Sequence, residues 1–193
     1  MSKVAEPNGF SLGILAGGAG RRVGGQDKGW LRHRGEALIE RVVRAYAPQA
    51  DELLISANRT QQRYAALGAR IVADASPDFP GPLAGILALL EACTTRRLVT
   101  LPVDLGALPA DLLDRLLAID ADLVRVHEAD GVQPLVACWQ RALLPDLAAL
   151  WQAGVRGVAH AQDMLAARGW RLVELDWRDR HLGNLNGPEW LQP

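Results

Sequence analysis

At 193 residues, the chain is long enough to bury one sizeable core without disulfide or metal staples, and it reads as one domain. A formal net charge of −1 excludes a global electrostatic pull toward nucleic acid or an anionic membrane, so any anion must be held by a local arrangement. Apolar residues at 49% and charged residues at 22% are the balance of a globular domain, and the longest apolar run, 83–90, stops at Glu91, short of a membrane span.

The opening MSKVAEPNGF, residues 1–10, has no apolar signal core and reads as a short flexible lead. Residues 11–16 form a short apolar run that stops at glycines, which predicts a buried strand before a glycine-rich loop. Leu38, Ile39, Val42, Val43 and Tyr46 keep a helical period within 37–47, closed by Pro48. ELLISA, 52–57, predicts a second strand, and 61–67 a short helix ended by Gly68. A third strand over 70–73 runs into DASPDFPGP, a loop by composition. Pro82 stands where a helix starts, ahead of a buried helix over 83–93. RLVTL, 97–101, is a near-continuous apolar strand, and Pro109 opens a helix that runs through 119.

Strands alternating with helices at this spacing predict a parallel sheet covered on both faces. The pattern changes after residue 120. Runs at 123–127 and 134–139 flank EADGVQ, whose Asp130-Gly131 pair signals a hairpin, and helices over 142–152 and 158–168 precede a strand at 171–176. The expected fold is therefore α/β and Rossmann-like, a mostly parallel sheet with helices on both faces and a mixed C-terminal elaboration. Cys93 and Cys138 sit in apolar stretches without CxxC spacing, as reduced core thiols of a cytoplasmic protein do. His33, His127, His160 and His181 show no metal-ligand spacing and read as surface or internally satisfied residues.

Open α/β sheets bind ligands beyond the carboxyl ends of their strands, near the point where strand order reverses. The residues predicted there are 17–28 after the first strand, Asn58 and Arg59 after the second, Asp74 after the third, and Asp104 in LPVDLG after the fourth. Residues 17–25 hold five glycines, with Arg21, Arg22 and Lys28 among and after them. The loop is not a dinucleotide fingerprint, because three residues separate Gly20 from Gly24 where that motif has two. Nor is it a P-loop: Gln26-Asp27 stand where Lys and Ser/Thr belong. It offers backbone amides that can cradle phosphate oxygens, and cations suited to a polyphosphate. Asp104 is the metal candidate, since magnesium keeps most of its waters and takes one or two carboxylates with phosphate oxygens.

LAGGAGRRVGGQDKG, 15–29, resembles the LAGGxxxRMGxDKG signature of nucleotidyltransferases that make dinucleotide forms of the molybdenum cofactor. ISANR (55–59), VADASPDFPGPLAGI (72–86), LPVD (101–104) and GNLNGPEWL (183–191) follow in that family's order. The chain thus resembles the molybdenum cofactor guanylyltransferases, the MobA family, over nearly its whole length. Departures are Val23 for a methionine, DLG without the proline often found two positions past the aspartate, and Gly187 for a threonine.

The resemblance implies a magnesium-dependent enzyme that joins GTP to the molybdenum-bearing molybdopterin, giving the guanine dinucleotide cofactor and pyrophosphate. It implies that Leu15, Ala16, Gly17 and Gly18 line the nucleotide, that Lys28 meets its phosphates, and that Asn58 and Asp74 complete the GTP pocket. Arg22, Lys28 and Asp104 would form the catalytic set, with Mg2+ on Asp104, and Asn184 and Asn186 would lie on the acceptor side. Implied partners are GTP, the pterin, and transient contacts with other cofactor-biosynthesis proteins or acceptor molybdoenzymes, with no nucleic acid and no membrane. Attack of an acceptor phosphate on the α-phosphorus of GTP needs positioning and charge neutralisation more than a protein nucleophile. Alternatives left open are a CTP-using relative, a different phosphorylated acceptor and a non-catalytic nucleotide-binding module. An intact Arg22, Lys28 and Asp104 set argues against the last, and the failed fingerprint against a nicotinamide-dependent oxidoreductase.

Overall fold

Strand β1 (Phe10–Leu15) is buried at every position, because neighbours cover both of its edges and helices cover both of its faces. In chain order the remaining elements are β2 (Arg32–His33), β3 (Glu36–Ala37), α1 (Leu38–Tyr46), β4 (Glu52–Ser56), α2 (Gln61–Ala65), β5 (Arg70–Val72) and α3 (Pro82–Ala92). They continue with β6 (Arg97–Pro102), α4 (Leu112–Ala118), β7 (Leu123–Glu128), β8 (Gly131–Gln140), α5 (Leu144–Gln152), α6 (Val158–Ala167) and β9 (Leu172–Asp176). The computed structural model describes residues 9–17, 27–73 and 81–185.

Seven strands form one sheet in the order β5-β4-β1-β6-β8-β7-β9. Its parallel pairs are β1–β4, β1–β6, β4–β5 and β7–β9, while β8 runs against both β6 and β7. The chain steps outward from β1 to β4 and β5, then returns to the other side of β1 as β6. Strand order therefore reverses between β1 and β6, where Leu15 pairs with Pro102.

Alternation along β1 divides the core. Phe10, Leu12 and Ile14 join the apolar layer under α1, α2 and α4, and Leu15 joins the layer under α3, α5 and α6. Helix α1 buries Leu38, Ile39, Val42 and Tyr46 and leaves Arg44 exposed, the stripe of a helix lying on a sheet. Helix α3 lies closer. A Cβ on Gly13 would come within 2.9 Å of Leu89 Cδ1, and one on Gly85 within 2.7 Å of Ser56 Oγ, so these two glycines let α3 settle against β1 and β4. No helix among the described residues is long and apolar enough to cross a membrane.

The predicted α/β architecture is present, with local differences, one of them that the helix expected to open at Pro109 begins at Leu112. Phe10 is 7% exposed and pairs with Arg97, so it belongs to β1 and not to the lead; residues 1–8 lie outside the described residues. Residues 32–37 form a small hairpin that the sequence reading passed over. Its turn residues Arg34 and Gly35 have φ of 54° and 84°, the left-handed pair that a tight two-residue hairpin turn requires. The predicted hairpin after residue 120 is present, but β8 starts at Gly131 rather than 134. A register shift between Arg125 and Val126 leaves Pro134, which has no N–H to give, outside the β7–β8 pairing.

Both cysteines are free and buried. Burial pushes the Cys138 thiol up to about 12 and raises that of Cys93. The thiolate is the reactive form, so neither should react with a disulfide reagent in the native protein at pH 8. Two equivalents of slow, unfolding-limited labelling are expected; a fast equivalent in the folded protein would contradict the burial.

Candidate active site

The ends of the parallel strands are tied together past their last ladder residues. Ala16 N–H donates to Ser56 O (3.1 Å), Val103 N–H to Leu15 O (3.2 Å) and Ala57 N–H to Val72 O (3.1 Å). These bonds join the carboxyl ends of β1, β4, β5 and β6, where the loops that follow them start. Gly17 is exposed at that edge, while Leu15 and Ala16 bury their side chains. Asn58 follows β4 and is half-buried. Asp104 lies two residues beyond β6, with its side chain only 12% exposed.

Lys28 is brought across the reversal point to meet that carboxylate. Its Nζ donates to Asp104 Oδ2, forming an ion pair between residues 76 apart in sequence. Lys28 opens a single 3-10 turn, Lys28–Trp30, and Asp27 caps it by accepting from Gly29 N–H at 3.2 Å. The Asp27 carboxylate also accepts from the Tyr64 hydroxyl and the Thr60 hydroxyl. Thr60 has φ of 45°, a left-handed conformation that a β-branched residue rarely takes. Trp30 stacks on Tyr64 with ring centroids 5.0 Å apart, and the Arg63 guanidinium sits 3.8 Å over the Trp30 ring. The Tyr64 phenol is raised far above its ordinary range, first by burial and then by its bond to Asp27. One carboxylate thus ties the end of the glycine-rich loop to the β4–α2 loop that carries Asn58.

The C-terminal segment reaches the same place from the other side. Leu105 and Asn184 form an antiparallel bridge, and Leu185 N–H donates to Asp104 O at 2.8 Å. Asn184 is exposed, beside the Asp104 loop. Arg41 of α1 secures that loop from below, donating to the carbonyls of Leu105 (3.3 Å) and Gly106 (3.0 Å); burial lowers its pKa. Further along the edge, ligand-type atoms of Glu128, Asp130 and His181 lie within 4.8 Å of one another, a grouping of the described residues that sequence spacing did not suggest. His127 meets Glu174 Oε2 through Nδ1 at 2.6 Å, in keeping with an internally satisfied histidine.

The structure therefore brings Leu15, Ala16, Gly17, Lys28, Asn58, Asp104 and Asn184 to one edge of the sheet. Gly18, Arg21, Arg22, Asp74 and Asn186 lie outside the described residues. Asp27 was missed as a site residue. Its local signal is the DKG of the motif, which does not reveal its partners Thr60 and Tyr64, 33 and 37 residues away.

With this geometry in view, kinship is decisive. The profile of the MobA-like NTP transferase domain matches residues 12–168. The chain belongs to this family. A molybdenum cofactor guanylyltransferase of Pseudomonas putida is 40% identical over 185 residues, covering 94% of this chain and 95% of that protein. Among solved structures, a nucleotidyl transferase of Methanothermobacter shares the fold with a TM-score of 0.75 at 22% identity, covering 94% of each chain. Molybdopterin-guanine dinucleotide biosynthesis protein A of Archaeoglobus fulgidus does so with a TM-score of 0.67 at 22% identity, covering 86% of this chain and 83% of that one.

In this MobA-like chain, Asp27→Ala removes a cap and leaves two hydroxyls without their acceptor. Stability should fall by about 1–3 kcal/mol. The urea midpoint should drop at unchanged slope, and a wild-type midpoint would contradict the role given to Asp27.

Proposed function

We propose that this MobA-like nucleotidyltransferase moves GMP from GTP to the molybdenum-bearing molybdopterin, releasing pyrophosphate and the molybdopterin guanine dinucleotide cofactor. The observation that carries the reading is the Lys28–Asp104 pair at the reversal point of strand order, in a chain related over 94% of its length to a molybdenum cofactor guanylyltransferase.

An acceptor phosphate oxygen forms a bond to the α-phosphorus of GTP while the bond from that phosphorus to the bridging oxygen breaks, and pyrophosphate leaves with that oxygen. Both reacting groups are anionic, so the chain's task is to hold them in line and lower their repulsion. Leu15, Ala16, Gly17 and Gly18 line the nucleotide with backbone. Asn58 and Asp74 complete the GTP pocket, and Arg22 adds a second cation over the phosphates. Lys28 donates its ammonium hydrogens to phosphate oxygens. Asn184 and Asn186 offer side-chain amides to the acceptor.

Asp104 fits a magnesium ligand. It is a largely buried carboxylate whose counter-charge, Lys28, is a cation that a polyphosphate also attracts. Magnesium, when bound there, would neutralise phosphate charge through its Lewis acidity. The free, buried Cys93 and Cys138 support a cytoplasmic setting, and the continuous sheet from Phe10 to Asp176 supports one domain over 1–193. Its protein partners are other members of the cofactor pathway, or acceptor molybdoenzymes that it meets transiently.

The test is pyrophosphate release with magnesium and molybdenum-bearing molybdopterin, comparing GTP with CTP. Release with GTP alone supports the proposal. Release with CTP alone overturns the base assignment, and release with neither overturns the transfer. Asp104→Asn and Lys28→Ala should each lower turnover by about 100-fold or more while the protein stays folded. Near-wild-type turnover of Asp104→Asn at saturating magnesium would remove that residue from the metal role.

A further inference from the structure

Glu128 ends β7 on the same edge of the sheet as Asp104, and its side chain is wholly buried. A buried carboxylate is costly unless its lone pairs are satisfied. Here they are satisfied from β8 and from the segment at 181–182. Oε1 accepts from Leu182 N–H, and Oε2 accepts from Gln133 Nε2 at 2.8 Å and lies 3.6 Å from His181 Nδ1. From that anchor, residues 181–185 run as a strap across the strand ends. Leu182 O accepts from Ala107 N–H (2.7 Å), Gly183 O accepts from Gly106 N–H (3.2 Å), and Leu185 N–H reaches Asp104 O (2.8 Å).

We infer that Glu128 is a positioning residue for the acceptor side: it anchors the start of the strap that carries Asn184 to Asp104 and, with the strap's main-chain bonds, holds its register. The strap has two apolar anchors, Leu182 and Leu185, at 1% and 7% exposure, while His181 and Asn184 are exposed. Apolar burial is non-directional and tolerates sliding; the main-chain bonds to residues 104, 106 and 107 and the Glu128 carboxylate on Leu182 N–H are directional and fix the register together. A slip of one residue would replace Asn184 opposite Leu105 by Gly183 or Leu185. Glu128 acts through Leu182, whose N–H it holds. The inference rests on the proposed reading of Asp104 and Asn184 as metal and acceptor residues.

Glu128→Leu keeps an apolar side chain of similar size in a buried place but cannot accept from Leu182. With GTP saturating, its KM for molybdenum-bearing molybdopterin should rise on the order of tenfold to a hundredfold, while its GTP affinity stays within about twofold. Glu128→Gln, whose amide oxygen can still accept, should restore most of the acceptor KM. If Glu128→Leu does not fold, Gly106→Ala presses on the same strap from its other side, since its Cβ would lie 3.0 Å from Leu182 O. The same acceptor-specific rise is expected there. A wild-type acceptor KM, or an equal loss toward both substrates, overturns the inference. Hydrogen exchange separates it from the reaction itself. If the wild-type enzyme shows no GTP-dependent turnover, the proposed function fails. Faster exchange at the Leu182 and Leu185 amides in Glu128→Leu still supports the docking role, and unchanged exchange overturns it.

Discussion

A carboxylate almost closed off from water must find its counter-charge nearby, and Asp104 finds it in Lys28, 76 residues earlier in the chain. That pair bridges the ends of β6 and of the loop that follows β1, across the point where strand order reverses. Placing a cation and an anion together there demands that two loops of different origin stop at the same spot. The ladder bonds past the strand ends, the Asp27 cap and the Arg41 fork under residues 105 and 106 all serve that demand. The pair is also poised for exchange, because a polyphosphate attracts Lys28 and a divalent cation attracts Asp104. Under the proposed function, substrate and metal would take over partners that the protein alone must supply to itself.

Two further ties flank that pair. Asp27 ties the return from the glycine-rich loop to the β4–α2 loop, and it does so with Thr60 in a left-handed conformation. The cost of that conformation, of order 1–3 kcal/mol, is consistent with a segment whose position matters more than its comfort. On the other side, the strap from Glu128 to Asp104 brings Asn184 in from the C-terminal region. The two flanks of the Lys28–Asp104 pair, proposed as nucleotide side and acceptor side, are thus held by separate carboxylates, Asp27 and Glu128.

Much of this was legible in the sequence, for a physical reason. Parallel strands buried on both faces must be continuous apolar runs, so β1, β4 and β6 announce themselves, and the polar residue that ends each run marks the ligand edge. Asn58 and Asp104 were found in that way. Phe10 was not, because the composition of the lead masked one apolar residue that pairs with Arg97. The hairpin over residues 32–37 was missed because its strands are two residues long and show no period. Asp27 and Glu128 stayed hidden for a different reason. Their partners are supplied by tertiary contact, over 37 residues to Tyr64 and over 54 to Leu182, and no local pattern encodes such a bond. Lys28 was recognisable as a cation after a glycine loop, but its pairing with Asp104 was not. Nothing in charge or periodicity distinguishes guanine from cytosine; that choice rests on kinship with guanylyltransferases.

The central claim is that the Lys28–Asp104 pair is where substrate phosphate and metal enter. The most direct measurement is a crystal structure of the protein with GTP and magnesium. Lys28 Nζ should leave Asp104 Oδ2 for a phosphate oxygen, and the magnesium ion should lie on the Asp104 carboxylate. A nucleotide bound elsewhere, with the Lys28–Asp104 pair intact, would contradict the account.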